Sequence, residues 1–462
     1  MYDVSDKIEA IPFGGIGAIH YMQKKLELDR EIDSSLHLFK QHRPYFESDH
    51  ILNIAYGILS GAKCIEDLGM LREDKCYRKS LGAKSLPAPT TAGDFLDRFM
   101  NGDLQNLMKA INTTRQKVWK TQPKTFFKTG IIDSDGSIAS TYGEKKEGMD
   151  IAYNGEWGYH PLIITLANTG EPLYIVNRPG NRPSHDGCAH WIDRAIEDLK
   201  PLFDKIVIRG DTDFSLTENF DRWDDECTFY FGYNAMDNLK KMADSLAESD
   251  WERFQPKKKY TVKTRPRKRR ENVKAKIVKK REFKNIRTTC EHIAEFSYKP
   301  TKCKKTYRIV ALRKNLSIEK GESAFLEDIR YFFYITNDKE CSKEHIVQEC
   351  RDRCNQENEI EQLKNGVHAL KAPKNTLEGN WAWMVIASLA WSLKIWFGLL
   401  REDVHEKNKI VRMEFRKFQR TLMTIPAQIV KSGRRLVYKI LGYSRYLEPL
   451  FRSMDYLSPL RV

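Results

Sequence analysis

An α/β fold is what the sequence predicts, and three observations point to it. Two short apolar runs end in acids: Gly130-Ile131-Ile132-Asp133-Ser134-Asp135 and Ile206-Val207-Ile208-Arg209-Gly210-Asp211-Thr212-Asp213. Such runs, closed by glycine and carboxylates, read as buried strands with acids at their exits, where α/β enzymes tend to hold reacting groups. Between them, Ile192, Ala195, Ile196, Leu199 and Phe203 form one stripe at helical spacing. Further strand-like runs at 160–167, 172–176 and 228–233, with a helix over 217–223, complete the order: three strands, a helix, a strand, a helix, a strand. With acids on the first and fourth strands, that is the order of a ribonuclease-H-like core.

The acids have a plainer reading as well. Asp-Gly and Asp-Thr commonly serve turns and caps. Two neighbouring strands that both end in acids, however, repel each other unless a cation lies between them.

Taken in order, residues 1–125 read as a helical domain. Segments 16–28 and 50–59 are amphipathic, a helix over 90–108 follows Pro-Ala-Pro-Thr-Thr, and 61–68 and 81–89 read as connectors. A basic helical domain ahead of a core suits DNA-end binding; the pattern alone suits a plain bundle nearly as well. The first part of the core is expected over 126–237, a basic β-rich insertion over 238–330, the second part of the core over 331–402 and a helical C-terminal segment for DNA binding or dimerisation over 403–462. The insertion holds the most basic run of the chain, including Lys257, Lys258, Lys259, Arg267, Lys268, Arg269 and Arg270. These residues are expected to bind phosphates, with a solvated loop as the alternative.

A strand is expected at 330–337 and one long helix over 344–367. On it Arg353 and Glu357 are four apart, and Glu357 and Lys364 seven apart. In a continuous helix the three fall within about 60° of one face. Salt-bridge lacing and a metal ligand flanked by phosphate clamps both fit that pattern. The apolar segment 381–400 is long enough to cross a bilayer, but Lys394 lies inside it, and a buried helix is expected instead.

A chain of 462 residues predicts more than one domain, and 41% hydrophobic content predicts a folded one. A net charge of +15, with pI ≈ 9.2, points to a polyanionic partner, nucleic acid ahead of an anionic membrane. The nine cysteines lack the paired spacing of a zinc site and read as reduced thiols. The opening MYDVSDKIEA shows no signal peptide, so a cytoplasmic location is expected.

These residues resemble the DDE transposases of bacterial insertion sequences. The nearest branch is the one typed by insertion sequence thirteen-eighty, related to the group with a Tyr-x2-Arg-x3-Glu-x6-Lys signature. Here the signature reads Cys350-x2-Arg353-x3-Glu357-x6-Lys364. The likeness also takes in Asp135-Gly136-Ser137, Ile208-Arg209-Gly210-Asp211, the region of Ile65-Glu66-Asp67-Leu68, and the segment from Ile425 to Arg435. Cys350 departs from the pattern, which puts an aromatic contact there in doubt and leaves the acid untouched.

The resemblance implies a catalytic and metal-binding triad of Asp135, Asp211 and Glu357, with Mg²⁺ (or Mn²⁺) as cofactor and Arg353 and Lys364 as phosphate clamps. Asp133 and Asp213 are rivals for the first two places. Strand alternation points Asp133 and Asp135 the same way; the family's Asp-x-Ser spacing favours Asp135. Hard oxygen ligands suit Mg²⁺ or Mn²⁺ rather than zinc, and His160, His185 and His190 are expected to be structural or substrate-contacting. The implied partners are double-stranded DNA, as terminal inverted repeats and target, and a second copy in a synaptic complex, in a nucleoid-associated setting with no membrane. The implied activity is cut-and-paste transposition, through hairpinned ends. A metal-dependent nuclease without strand transfer and an inactive DNA-binding protein are the alternatives.

Overall fold

A computed structural model describes residues 9–41, 44–256, 271–320, 323–433, 435–442 and 446–458. The chain divides into a first unit of Met1–Gly130, Asp135–Asp204 and Asn355–Val462, and a second of Ile131–Ser134 and Lys205–Cys354. The architecture is mixed α/β, with a large mixed sheet and many helices.

The first unit is built on the helix Leu377–Leu399. Thr376 starts it, its Oγ1 accepting the Gly379 N–H at 3.2 Å, a side-chain cap for a donor that the helix itself leaves unpaired. Every residue from Gly379 to Leu399 is buried, so the segment that matched a membrane span by length is an interior helix of this unit. It packs on the helices Glu47–Leu59, Asn101–Lys120 and Val404–Val411 and on the strand Glu171–Val176.

Four tryptophans carry indole N–H groups into that apolar setting, and each finds an acceptor. Trp381 donates to Ile175 O at 2.5 Å, Trp383 to His368 O at 3.0 Å, Trp391 to Gly170 O at 2.7 Å and Trp396 to Glu171 Oε1 at 2.7 Å. Glu171, itself fully buried, also accepts from Arg115 Nε, Trp119 Nε1 and Thr169 Oγ1. A buried carboxylate persists only when paired and hydrogen-bonded in this way. Lys394, the one charge in the apolar run, donates to Val411 O at 2.7 Å and lies 3.9 Å from the centre of the Trp391 ring; burial holds its pKa well below the ordinary lysine range.

Elsewhere in this unit the strands Leu162–Leu166 and Glu171–Val176 pair antiparallel, and the helix Cys188–Leu199 buries the expected stripe of Ile192, Ala195, Ile196 and Leu199. The helix expected over 90–108 is two, Pro89–Leu96 and Asn101–Lys120. Asp103 accepts the Met100 N–H at 3.0 Å and opens a new N-terminus there. The expected helical C-terminal segment needs a larger correction. After the helix Val404–Val411 come a short helix Phe415–Phe418, a π turn Gln419–Met423, a hairpin of Ala427–Ser432 and Arg435–Ile440, and only then the helix Leu447–Leu457. Period-two alternation through Val430 and Val437, with Gly433 at φ 59° in the turn, favours strands there.

The second unit holds most of the sheet. Its order is Glu252–Arg253, Lys284–Tyr298, Tyr307–Lys320, Ser323–Thr336, Thr228–Tyr233, Lys205–Gly210 and then Thr129–Gly136, whose middle, Ile131–Ser134, belongs to this unit. Lys205–Gly210 runs parallel to Thr228–Tyr233, while the three long strands Lys284–Tyr298, Tyr307–Lys320 and Ser323–Thr336 pair antiparallel. Residues 238–330 thus carry the long strands Lys284–Tyr298, Tyr307–Lys320 and most of Ser323–Thr336, and the run at 330–337 is the end of the third of these. Val207, Tyr230, Ile293, Val310, Leu312, Ile346 and Val347 form the core of this unit, where the helix Lys343–Asp352 covers the sheet.

Candidate functional site

The strand Thr129–Gly136 positions the first two acids, and their surroundings differ sharply. Asp133 is 1% exposed. Both of its carboxylate oxygens are held by Arg209, which arrives on the strand Lys205–Gly210: Nε donates to Oδ1 and Nη2 to Oδ2, each at 2.7 Å. Arg209 Nη1 also reaches Glu349 Oε2 at 2.9 Å. Burial works against the guanidinium charge, but the bonds to Asp133 and Glu349 outweigh it and raise its pKa. Asp133 is thus engaged in a buried fork–fork pair, the strongest form of charged hydrogen bonding.

Asp135, two residues on, is half-buried in the first unit, and its Oδ1 accepts the Gly136 N–H at 2.8 Å. Gly136 has no room for a side chain, since a Cβ there would come within 2.7 Å of His160 Nε2. His160 is buried, its Nδ1 bonded to Arg182 O at 2.7 Å, so an imidazole is packed over the strand end beside Asp135.

In the second unit Asp211 directly follows the strand Lys205–Gly210. Gly210 lets the chain turn, because a Cβ would meet Phe214 Cβ at 2.6 Å. Asp211 Oδ1 accepts the Asp213 N–H at 2.9 Å, and Arg353 Nη2 stands 3.9 Å from Oδ2. The Asp211 side chain is 39% exposed and that of Arg353 11%. Burial pushes the Asp211 carboxyl up; Arg353 and the Asp213 N–H oppose that, and the Asp213 charge adds to it. A carboxyl raised despite a neighbouring arginine is one that a further cation would stabilise. Asp213 is exposed, in the 3₁₀ turn Thr212–Phe214.

The long helix expected over 344–367 is broken. Lys343–Asp352 ends at a turn of Arg353 and Cys354, where Cys354 N–H bonds to Arg351 O in i→i−3 fashion at 3.1 Å. Asn355–Glu361 follows, then a π turn, Gln362–Gly366, closed by Val367 N–H to Gln362 O at 2.9 Å. The 3.6-residue arithmetic that placed Arg353, Glu357 and Lys364 on one face does not apply across those two breaks. Arg353 lies in the second unit, Glu357 and Lys364 in the first.

Within the first unit Gln356 and Ile360 are buried, Gln356 Nε2 donating to Ile163 O at 3.2 Å. They anchor the helix Asn355–Glu361 with Glu357 exposed, and Lys364 is exposed in the π turn. Cys350, at the position of the signature's tyrosine, packs against the apolar core of the second unit, and burial pushes its thiol pKa up.

Lys257, Lys258, Lys259, Arg267, Lys268, Arg269 and Arg270 lie outside the described residues. Among the described residues, neither unit gathers three or more His, Cys, Asp or Glu side chains as a metal-holding group. Sequence reasoning passed over Arg209 and Glu349. One signal was visible: an arginine inside a run of β-branched residues needs a buried anionic partner.

Asp135 and Asp211 are carboxylates at strand exits, and carboxylates are hard-oxygen donors of the type that metal-assisted phosphoryl transfer uses. The family model described as transposase DDE domain group 1 matches residues 13–462, and the chain belongs to that family of DNA-transposing enzymes. No curated protein matches the chain. Among solved structures, the chain is similar to the piggyBac transposase in a cryo-EM structure of its synaptic complex with hairpin DNA. The two share 11% identity with a TM-score of 0.34, over 97% of this chain and 85% of that one, a level at which neither fold detail nor function transfers.

Proposed function

We propose that the protein is an insertion-sequence transposase of the branch typed by insertion sequence thirteen-eighty, related to the Tyr-Arg-Glu-Lys group. It binds the terminal inverted repeats of its element, cleaves them and joins them to target DNA, acting as a dimer in a synaptic complex. The observation that carries this reading is the family match over residues 13–462. The core is ribonuclease-H-like, in the parts 126–237 and 331–402 around the insertion 238–330. Residues 1–125 bind the DNA ends, and 403–462 serve DNA binding or dimerisation.

Asp135, Asp211 and Glu357 are the catalytic carboxylates. Asp133 is set aside because both its oxygens are engaged by Arg209. The donor set fits Mg²⁺ or Mn²⁺: oxygen ligands only, including an Asp211 carboxyl that burial leaves short of compensating charge. When bound, the metal would activate the attacking hydroxyl and neutralise the leaving oxygen of a phosphodiester. The chain's own part is orientation. Asp213 N–H fixes one oxygen of Asp211, and Arg353 stands by the other. Lys364 and Arg353 hold phosphate oxygens of the transposon end.

The test is nicking of end-containing DNA with Mg²⁺, followed by strand joining from pre-cut ends. Asp135→Asn, Asp211→Ala and Glu357→Gln should each abolish nicking while end binding stays near wild type. Nicking without joining would reduce the protein to a nuclease. Binding with no Mg²⁺-dependent nicking by the wild type would leave only a DNA-binding protein.

A further inference from the structure

Far along the sequence from the acids, the first unit holds an open groove of about 540 Å³ lined by Lys75, Arg78, Lys79, Lys84, Lys431 and Arg435. Two distant stretches of sequence build it. One is the helix Lys75–Ser80 and the turn after it. Asp74 caps the helix, its Oδ1 accepting the N–H groups of Cys76 and Tyr77 at 2.8 and 3.0 Å. The helix stops on a Schellman turn: Gly82 N–H bonds to Lys79 O and Ala83 N–H to Arg78 O, each at 3.0 Å, with Gly82 at φ 65°. Gly82 and Ala83 line the groove between the cations, and a Cβ on Gly82 would touch nothing within 4 Å.

The other stretch is the hairpin of Ala427–Ser432 and Arg435–Ile440, which brings Lys431 and Arg435 to the same groove. The two stretches are tied. Tyr438 OH donates to Ser80 O at 2.5 Å, and the strand Ala10–Ile11 pairs with Ala427–Ser432. Glu9 pairs with Lys79 and stands 3.5 Å from Lys75. Arg78, Lys84, Lys431 and Arg435 have no ion pair among the described residues. Uncompensated cations gathered on a fixed scaffold make a field that favours a polyanion. Lys84, Lys431 and Arg435 are exposed, which suits a polymer laying successive phosphates along the groove better than an enclosed small anion.

We propose that this groove binds the sugar-phosphate backbone of double-stranded DNA, as a contact separate from the carboxylates. It rests on the transposase reading for its partner and adds to that reading a place where the two ends of the chain jointly hold the duplex. Lysines and arginines on phosphates position a duplex without reading its sequence, so the groove strengthens binding to every duplex alike.

The test uses the full-length protein and a fluorescent random-sequence duplex, with EDTA present so that no cleavage intervenes, titrated over a range of KCl. Arg78→Gln/Lys431→Gln/Arg435→Gln should flatten the slope of log affinity against log salt by roughly 0.9 for each phosphate no longer neutralised, between two and three units in all. The single Lys431→Gln change, at an exposed strand end, should flatten it by about one unit, and it guards against misfolding of the triple variant. Arg78→Lys/Arg435→Lys should keep the wild-type slope. Unchanged slopes in folded Gln variants would overturn the groove while the transposase reading stands. A wild type that binds no duplex at all would overturn both, and Asp211→Ala nicking data bear on the transposase reading alone.

Discussion

Arg209 grips both carboxylate oxygens of Asp133 in a buried fork, Nε to Oδ1 and Nη2 to Oδ2 at 2.7 Å each. That relationship separates two acids that strand alternation alone cannot tell apart. Arg209→Met should leave a buried carboxylate without its partner and cost about 3–5 kcal/mol, read as a fall in the urea midpoint. Asp133→Leu combined with Arg209→Met should recover much of the loss. Asp135→Asn, at a half-buried strand end, should leave the midpoint almost unmoved. Equal destabilisation by Asp135→Asn would mean that both acids are structural.

Arg353 is no surface decoration, with a side chain 11% exposed and a nitrogen 3.9 Å from Asp211. Arg353→Lys keeps the charge but loses the planar fork that can hold a carboxylate and a phosphate together. Strand joining on pre-cut ends should slow by on the order of a hundredfold, as small misplacements of reacting groups do. Lys364→Ala should slow it less, because Lys364 is an exposed point charge. Joining at the wild-type rate in a folded Arg353→Lys protein would remove the clamp.

Neutralising Lys257, Lys258 and Lys259 together tests the basic run. If these lysines hold a DNA backbone, their neutralisation should weaken binding to all duplexes alike and lower the salt slope by roughly one unit for each phosphate left unpaired. A slope equal to wild type would make the run a solvated loop.

Two histidines, His50 buried and His20 half-buried, predict an acid-labile first unit. Burial pushes His20 down to about 4, with Lys24 adding and Asp29 opposing; it pushes His50 to about 4 as well, with Glu47 opposing and Arg98 adding. In the unfolded chain both titrate near 6.5, so below that pH the unfolded state binds protons that the folded state does not. Their contribution is intact above about pH 6.5 and is lost as pH falls towards 4, on the order of 3 kcal/mol for each at most. His50→Phe should flatten this fall. It keeps the stack on Phe95, whose ring centre is 4.5 Å away, and among the described residues His50 Nδ1 has no hydrogen-bond partner to lose. Identical urea midpoints against pH for wild type and His50→Phe would refute the assignment.

Strands were legible where apolar runs were short and bounded, as at Thr129–Gly136, Lys205–Gly210 and Thr228–Tyr233. The interior helix Leu377–Leu399 was legible from Lys394, a charge that a protein interior can satisfy with one carbonyl and one ring face. The helix breaks were not. Period counting cannot see a turn at Arg353–Cys354 or a π turn at Gln362–Gly366, because packing and hydrogen bonds made elsewhere in the fold set them. The C-terminal hairpin was missed for a related reason: short alternating segments take strand form when a partner strand, here Ala10–Ile11, is at hand.

By itself the sequence determined that the protein is basic and α/β, with acids at two strand exits and a third on a later helix, because composition, periodicity and spacing are local properties. Tertiary structure decided which acid on the first strand is spent. Asp133 and Asp135 have the same strand parity and nearly the same neighbours in sequence. Arg209, arriving from another strand, pairs Asp133 in the interior, where an unpaired carboxylate would not be tolerated. Tertiary structure also placed Arg353 beside Asp211 and brought Lys431 and Arg435 to the helix of Lys75 and Arg78. Long-range electrostatics of this kind depend on distance in space, which spacing along a chain does not encode.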